Sequence, residues 1–210
     1  FEGSPLVHIE EAEIEGGDAF VEQEVDLDAI RPDLAEVLVR HRLTLDEARP
    51  EAVARRRRTK QRTARENVDD LVDPGTWVEY GPLVLAAQAA RRSKEELIAK
   101  SPADGMITGV GAINSDLFDE PASRCAVMSY DYTVFAGTQG ARNHSKTDRL
   151  IDVAQHARLP LVLFAEGGGG RPGDTEGGGG TRTFARFAQL SGLVPMVGIT
   201  SGRCFAGNAS

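Results

Sequence analysis

The sequence predicts an α/β fold of packed helix and sheet layers, and three observations carry that expectation. From Gly137 onward the pattern runs helix, strand, loop, helix, strand, loop, the order of layered α/β folds that place ligands at loops beyond the strand ends. Ahead of it stand two β-rich segments, 106–113 and 125–135, each bounded by Gly and Asn or Asp turn residues. The 210 residues, 40% hydrophobic and with 23 glycines, supply one sizeable core with at most a satellite segment.

Taken in order, the first 25 residues alternate short apolar runs with Glu and Gly, which reads as one or two strands ending in an acidic linker. Residues 32–50 set Leu34, Val37, Leu38 and Leu45 at helical spacing between Pro32 and Pro50, and predict one or two short helices. Helix-favouring residues fill 52–71 until Asp73-Pro74-Gly75 ends the run with turn chemistry, and 77–80 reads as a short strand. Residues 83–100 have helical composition, and Ser93 stands three before Glu96, the spacing of a capping box. A helix is expected from Gly140 to about Arg158, with Leu150, Ile151, Val153 and Ala154 on its apolar face. Residues 161–165 and 194–200 read as buried strands with a helix, 181–190, between them.

Charge is unevenly spread. Residues 1–54 hold 15 acidic and 4 basic side chains, whereas residues 55–66 (RRRRTKQRTARE) hold seven basic and one acidic, within a chain of net charge −8. Such a basic block suits nucleic acid, the phosphates of a small anionic ligand, or simply a solvated helix face. Nucleic acid is disfavoured, because no aromatics are interleaved and no helix-turn-helix or RNP pattern follows. The longest apolar run, 159–165 with Pro160 inside it, falls far short of the ~20 residues of a membrane span, so a soluble, cytoplasmic protein without a membrane partner is expected. Cys125 and Cys204 match no disulfide framework, zinc or redox spacing and read as small buried residues. The four histidines, His8, His41, His144 and His156, have no partner at metal spacing, and no metal site is expected.

The densest signal is EGGGGRPGDTEGGGG, residues 166–180, which holds nine glycines directly after the strand at 161–165. Two readings stand: a cradle of backbone N–H groups aimed at an oxyanion or phosphate, or a low-complexity linker. It is neither a Walker A loop nor a dinucleotide fingerprint, and Gly198-Ile-Thr-Ser-Gly202 has Thr200 where a nucleophile elbow needs serine. Glu166 and Asp174 form either a carboxylate pair or two solvated loop acids. A loop rich in backbone donors without an evident nucleophile or base suits chemistry that stabilises an enolate or oxyanion while the proton acceptor lies elsewhere.

Five ordered segments carry a family resemblance over residues 54–210. They are TARENVDDLVDPGTWVEY from Thr63, DGMITGVG from Asp104, DYTVFAGTQG from Asp131, the helix from Lys146 to Ala157, and the strand and loop from Leu161 to Arg171 followed by Cys204-Phe-Ala-Gly-Asn-Ala. The chain resembles the carboxyltransferase component of biotin-dependent acyl-CoA carboxylases. The resemblance implies a crotonase-like fold of repeated ββα units, of which this chain is the N-terminal half, and transfer of a carboxyl group from carboxybiotin to the α-carbon of an acyl-CoA. It implies that biotin takes the α-proton, and that backbone N–H groups at Gly168 and Gly169 hold the thioester enolate, with Gly207 and Asn208 as a second donor turn. Gly167, Gly170 and Arg171 would line the substrate, and Arg55, Arg56, Arg57 and Arg58 would meet CoA phosphates. Glu166-Gly-Gly-Gly-Gly-Arg171 stands where the family usually has Asp-Ser-Gly-Gly-Ala-Arg, a variant similar to that of large single-chain carboxylases.

The opening FEGSPLVHIEE resembles the last strands of a biotin carboxyl carrier domain. The expected organisation is therefore a carrier remnant at 1–15, an acidic linker with short helices at 16–50, and a carboxyltransferase N-terminal subdomain at 51–210. Phe1 at the start and Ser210 inside a turn suggest a fragment that is inactive alone. Implied partners are the carrier and biotin carboxylase domains, the latter using ATP, Mg and bicarbonate, and the carboxyltransferase C-terminal half of a neighbouring subunit in a homo-oligomer such as a hexamer. Two alternatives remain: another crotonase-like acyl-CoA enzyme, such as a decarboxylase or hydratase, and a CoA-binding or assembly module without activity.

Overall fold

The computed structural model describes residues 26–174 and 182–209, together with Val7, Ile9 and Glu10. Two compact units divide the chain, Phe1–Arg31 and Pro32–Ser210. In the first, Asp26 organises a turn by accepting the Asp28 N–H at its carboxylate (3.0 Å) and the Ala29 N–H at its carbonyl (3.3 Å). The expected carrier remnant and the second glycine run, 177–180, lie almost wholly outside the described residues.

The second unit starts with α1 (Pro32–Arg42), whose Leu34, Val37, Leu38 and Val39 are all exposed. Pro50 then opens α2 (Pro50–Arg58), where a missing N–H costs nothing. The continuous helix expected over 52–71 is corrected to two. Lys60 adopts φ +59, and Thr63 caps a new helix, α3 (Ala64–Leu71), by accepting the Glu66 N–H (3.1 Å) while Glu66 accepts the Thr63 N–H (2.8 Å). Strand β1 (Val78–Glu79) follows. The helix expected over 83–100 shrinks to α4 (Lys94–Lys100), capped by Ser93 and Glu96 as the spacing predicts. Its first half is irregular because the Ala86 N–H donates to Ser101 Oγ (3.1 Å) rather than to a helical carbonyl, seating Ala86 and Ala87 in the core.

The remaining elements are β2 (Met106–Ala112), α5 (Glu120–Ser123), β3 (Arg124–Tyr130), α6 (Ala141–Ala157), β4 (Leu161–Phe164), α7 (Thr183–Leu190) and β5 (Met196–Ile199). The five strands lie in sequence order; β1, β2 and β3 pair antiparallel, and β3, β4 and β5 pair parallel. Helices α6 and α7 are the crossovers that parallel pairing requires.

Strand alternation decides the two faces. Met106, Val110, Ala126, Met128 and Tyr130 pack with Leu150, Ile151 and Ala154 of α6, whereas Ile107, Cys125, Val127 and Val162 pack with Ala64 and Val68 of α3 and with Trp77. The sheet is thus covered on both sides around β2, β3 and β4. Strand β5 differs from the buried strand expected at 194–200: Met196, Val197 and Ile199 are exposed, because β5 is the sheet edge and no described element covers it. No helix among the described residues is long and apolar enough to cross a membrane.

Candidate functional site

Strand β4 runs out through Ala165 and Glu166 into an arch, residues 167–170, that closes against two short turns, Phe135–Gly137 and Ala206–Asn208. Non-glycine residues with positive φ gather here. Phe135 (+47), Ala136 (+56) and Ala206 (+47), with Ala103 (+53) and Asp104 (+49) beneath them, are five of the eight among the described residues. Such conformations persist only where the surroundings over-determine them, and they concentrate at working sites.

The Asn208 side chain joins the three segments. Its Nδ2 donates to the Gly137 and Glu166 carbonyls (both 3.0 Å), and its Oδ1 accepts the Gly169 N–H (2.8 Å). The Gly168 N–H donates to the Ala136 carbonyl (3.1 Å) and the Gly167 N–H to the Arg203 carbonyl (2.7 Å). The amides of Gly168 and Gly169, expected as oxyanion donors, are each bonded within the fold. Among the described residues, the amides of Gly170 and Gly207 have no acceptor. Gly168 and Gly170 are exposed, and Gly207 is half-buried beneath Gln139, whose Nε2 donates to the Gly207 carbonyl (3.1 Å) and to Tyr130 Oη (2.6 Å). Burial pushes that phenol up to about 12, so it stays neutral.

Two buried ion pairs anchor the arch. Arg56 reaches from α2 to Glu166 in a bidentate pair (2.8 and 2.5 Å) and also donates to the Arg62 carbonyl (2.7 Å) and Gln61 Oε1 (2.9 Å). At the far end Arg171 binds Asp104, donates to the Thr138 carbonyl (2.8 Å), and lies over the Phe135 ring at 5.1 Å. Burial raises the Asp104 carboxyl above its ordinary range, with the Arg171 guanidinium opposing. The guanidinium groups of Arg56, expected at CoA phosphates, and of Arg171, expected to line the substrate, are each committed to a buried carboxylate. Nor are Glu166 and Asp174 solvated, since Asp174 Oδ2 accepts the Ala141 N–H at the start of α6 (3.0 Å) and Oδ1 accepts from Gln88 (3.1 Å).

The basic block divides by side-chain direction. Arg57 pairs with Glu66, Arg58 is exposed, and Arg55, loosely set against Glu51 (3.9 Å), lines a cavity of about 480 Å³ with Arg49, Lys100, Thr133 and Phe135. Arg49 is held by Asp131 (2.8 Å) and Thr133 (2.6 Å); burial raises the Asp131 carboxyl, but Arg49 and Thr133 outweigh it and bring it below its ordinary range. Arg55 and Lys100, by contrast, have only exposed partners of small energetic weight.

Sequence reading missed the Asn208 carboxamide, both ion pairs and Lys146. The signal for the last was an unpaired Lys on the predicted apolar helix. Lys146 Nζ donates to the Ala103 carbonyl (2.9 Å) and the Met106 carbonyl (2.5 Å), pinning the strained turn that carries Asp104. Burial pushes its ammonium down to about 8. The native state therefore loses this proton first, and between about pH 8 and 10 the unfolded chain, titrating near 10.4, binds more protons. Stability from Lys146 is present above that window and lost as pH falls through about 8. The melting temperature of the wild type minus that of Lys146→Met is expected to rise from about pH 7 to 10, and a flat difference would refute this. Comparing the two cancels the opposing effect of Cys125, whose thiol burial pushes up to about 11. Cys204 is a half-buried free thiol donating to the Asn208 carbonyl (3.0 Å), His144 sits 2.9 Å from Thr183 Oγ1, and no metal-binding cluster occurs among the described residues.

Comparison with known proteins agrees with this geometry. The carboxyl transferase domain family matches residues 55–209. A propionyl-CoA carboxylase beta chain of Saccharopolyspora erythraea is 32% identical over 83% of this chain and 30% of its own length. A biotin-dependent long chain acyl-coenzyme A carboxylase beta4 subunit of Mycobacterium tuberculosis is 33% identical over 83% of this chain and 31% of its own length. The chain thus spans about a third of these relatives. Among solved structures, a single-chain, multi-domain long-chain acyl-CoA carboxylase superposes with a TM-score of 0.82 at 60% identity, covering 86% of this chain and 18% of its own. A transcarboxylase 12S structure, at 23% identity and a TM-score of 0.64 over 89% of this chain and 35% of its own, shares the fold. The crotonase-like fold expected from the sequence is thereby met, and the chain belongs to the carboxyl transferase domain family.

Proposed function

We propose that this chain is the acyl-CoA half of a carboxyltransferase that moves a carboxyl group from carboxybiotin to the α-carbon of an acyl-CoA through a thioester enolate. The observation that carries this reading is the arch itself. It offers open backbone donors at Gly170 and Gly207, while the neighbouring acids Glu166 and Asp104 are each held by a guanidinium and are unsuited to act as a free base. Carboxybiotin, when bound, supplies both the carboxyl group and the proton acceptor, which fits a site of that composition. The chain's own part is to bind the thioester over residues 168–170 and to stabilise the negative charge on its oxygen with N–H groups, where one donor is commonly worth ~10²–10³ in kcat. Arg55 and Lys100, lining the cavity beside Phe135, are the side chains we assign to CoA phosphates. Arg56, held by Glu166, is left out of that role.

The likeness to a single-chain, multi-domain long-chain enzyme supports long acyl groups as substrates and further domains as partners; the partners we assign are a carrier domain and a biotin carboxylase domain, the latter using ATP, Mg and bicarbonate. The transcarboxylase 12S structure is a hexamer, which supports an oligomer here; the second carboxyltransferase half is assigned to a neighbouring subunit as part of this reading. Residues 1–15 are assigned to the end of a carrier domain and 16–50 to its linker. Two free cysteines suit a cytoplasmic location.

The test is Gly168→Val in the full-length enzyme. A Cβ at Gly168 would press only on the methyl end of Thr138 (Cγ2, 3.2 Å), so the fold is expected to hold while the exposed arch gains a side chain. Carboxylation of acyl-CoA is expected to fall at least ~10²-fold with little change in melting temperature. Undiminished activity would sink the assignment. Gly169→Val is a poorer probe, since its φ of +84 would strain any side chain.

A further inference from the structure

We infer that Asn208 is a positioning residue whose carboxamide sets the glycine arch for reaction; the inference rests on the carboxyltransferase reading. Asn208 is 3% exposed, and both faces of its amide are used: Nδ2 on the Gly137 and Glu166 carbonyls, Oδ1 on the Gly169 N–H. Rotating the amide by half a turn would set oxygen against two carbonyls and NH₂ against an N–H, so only one orientation satisfies the site.

The three partners lie on three separate backbone segments, which this one side chain bridges. Gly137 ends a turn that holds two residues with positive φ, and Glu166 and Gly169 flank the two amides bonded to Arg203 and Ala136. Because Asn208 follows Gly207 directly, the same carboxamide locates the Gly207 N–H relative to the arch. By accepting the Gly169 N–H it also leaves Gly170 and Gly207 as the donors open to a thioester oxygen. The side chain thus acts on the reaction through backbone it holds and touches no reacting atom.

Asn208→Asp, in the full-length enzyme with its biotin carrier, is the informative variant. It keeps size and the Oδ1 acceptor but turns the donor into an oxygen facing two carbonyls. At about pH 8 kcat for acyl-CoA carboxylation is expected to drop ~10²-fold, with KM within about threefold. A buried carboxyl protonates above its ordinary range, and its O–H can then donate to one of the carbonyls. The deficit relative to wild type is therefore expected to shrink towards about pH 6, whereas Asn208→Ala should show a deficit independent of pH.

Wild-type kcat in Asn208→Asp, a change in KM alone, or the same pH-independent loss in both variants would overturn the inference. If neither variant folds, hydrogen exchange at the Gly169 amide of the wild type decides: protection comparable to the β2 and β3 amides is expected, and fast exchange refutes the clasp. Failure of the wild type to carboxylate any acyl-CoA would instead remove the underlying reading, and the exchange result would still report on Asn208.

Discussion

Replacing Gly167 with alanine is expected to lower the melting temperature by about 5–20 °C and to abolish carboxylation of acyl-CoA. Gly167 has φ +144, which side chains rarely adopt, and an added Cβ would press into the Gly137 carbonyl oxygen and stand 2.5 Å from Asn208 Nδ2. Neither neighbour is a free side-chain end. The carbonyl belongs to a strained turn, and the carboxamide is fixed by three hydrogen bonds. Backbone strain of about 1–3 kcal/mol and overpacking of a similar size add to roughly 2–6 kcal/mol, which at about 2–4 °C per kcal/mol is about 4–24 °C and brackets the stated shift. Thermal melting checks it, and a Gly167→Ala variant that melts with the wild type would show that the arch is softer than its contacts imply.

Arg56→Met should be nearly as damaging, for an electrostatic reason. Arg56 and Glu166 are 6% and 9% exposed, and removing the guanidinium leaves a carboxylate in the interior without a cation. Breaking such a pair typically costs about 3–5 kcal/mol, or about 6–20 °C here. Removing both charges, in Arg56→Met with Glu166→Leu, is expected to restore most of the lost stability, because the penalty lies in the orphaned charge rather than in the missing bond. Equal losses in the single and double variants would place the effect in packing instead. Gly202 belongs to the same unit, since a Cβ there would collide with Glu166 Oε1.

What could be read beforehand follows from the range of each interaction. Helix α6, strands β2, β3 and β4, and the Ser93–Glu96 cap depend on neighbours within a few residues, and periodicity displayed them. Residues 83–92 misled because Ala86 gives its amide to Ser101, a preference that composition does not encode. Strand β5 has the apolar makeup of a buried strand, yet edge position depends on what covers it. The glycine run announced the arch, and the five motif segments announced the family. Acids at 166 and 174 looked solvated, and arginines at 56 and 171 looked available, because the groups that occupy them lie far off in sequence.

That distance also governs the order in which the molecule can be built. Arg56 meets Glu166 across 110 residues, Asn208 meets Gly137 across 71, and Arg171 meets Asp104 across 67, whereas β2 and β3 are joined by a short connection and pair with each other directly. Closing long loops carries an entropic cost that must be met before their contacts contribute, so the antiparallel pair has the advantage early and the arch comes last. During synthesis Arg56 must wait for the chain to grow through Glu166 before it finds its carboxylate, and the arch then waits for Asn208. A chain halted before that point would already hold most of its sheet and still lack the clasp that gives its glycines a shape.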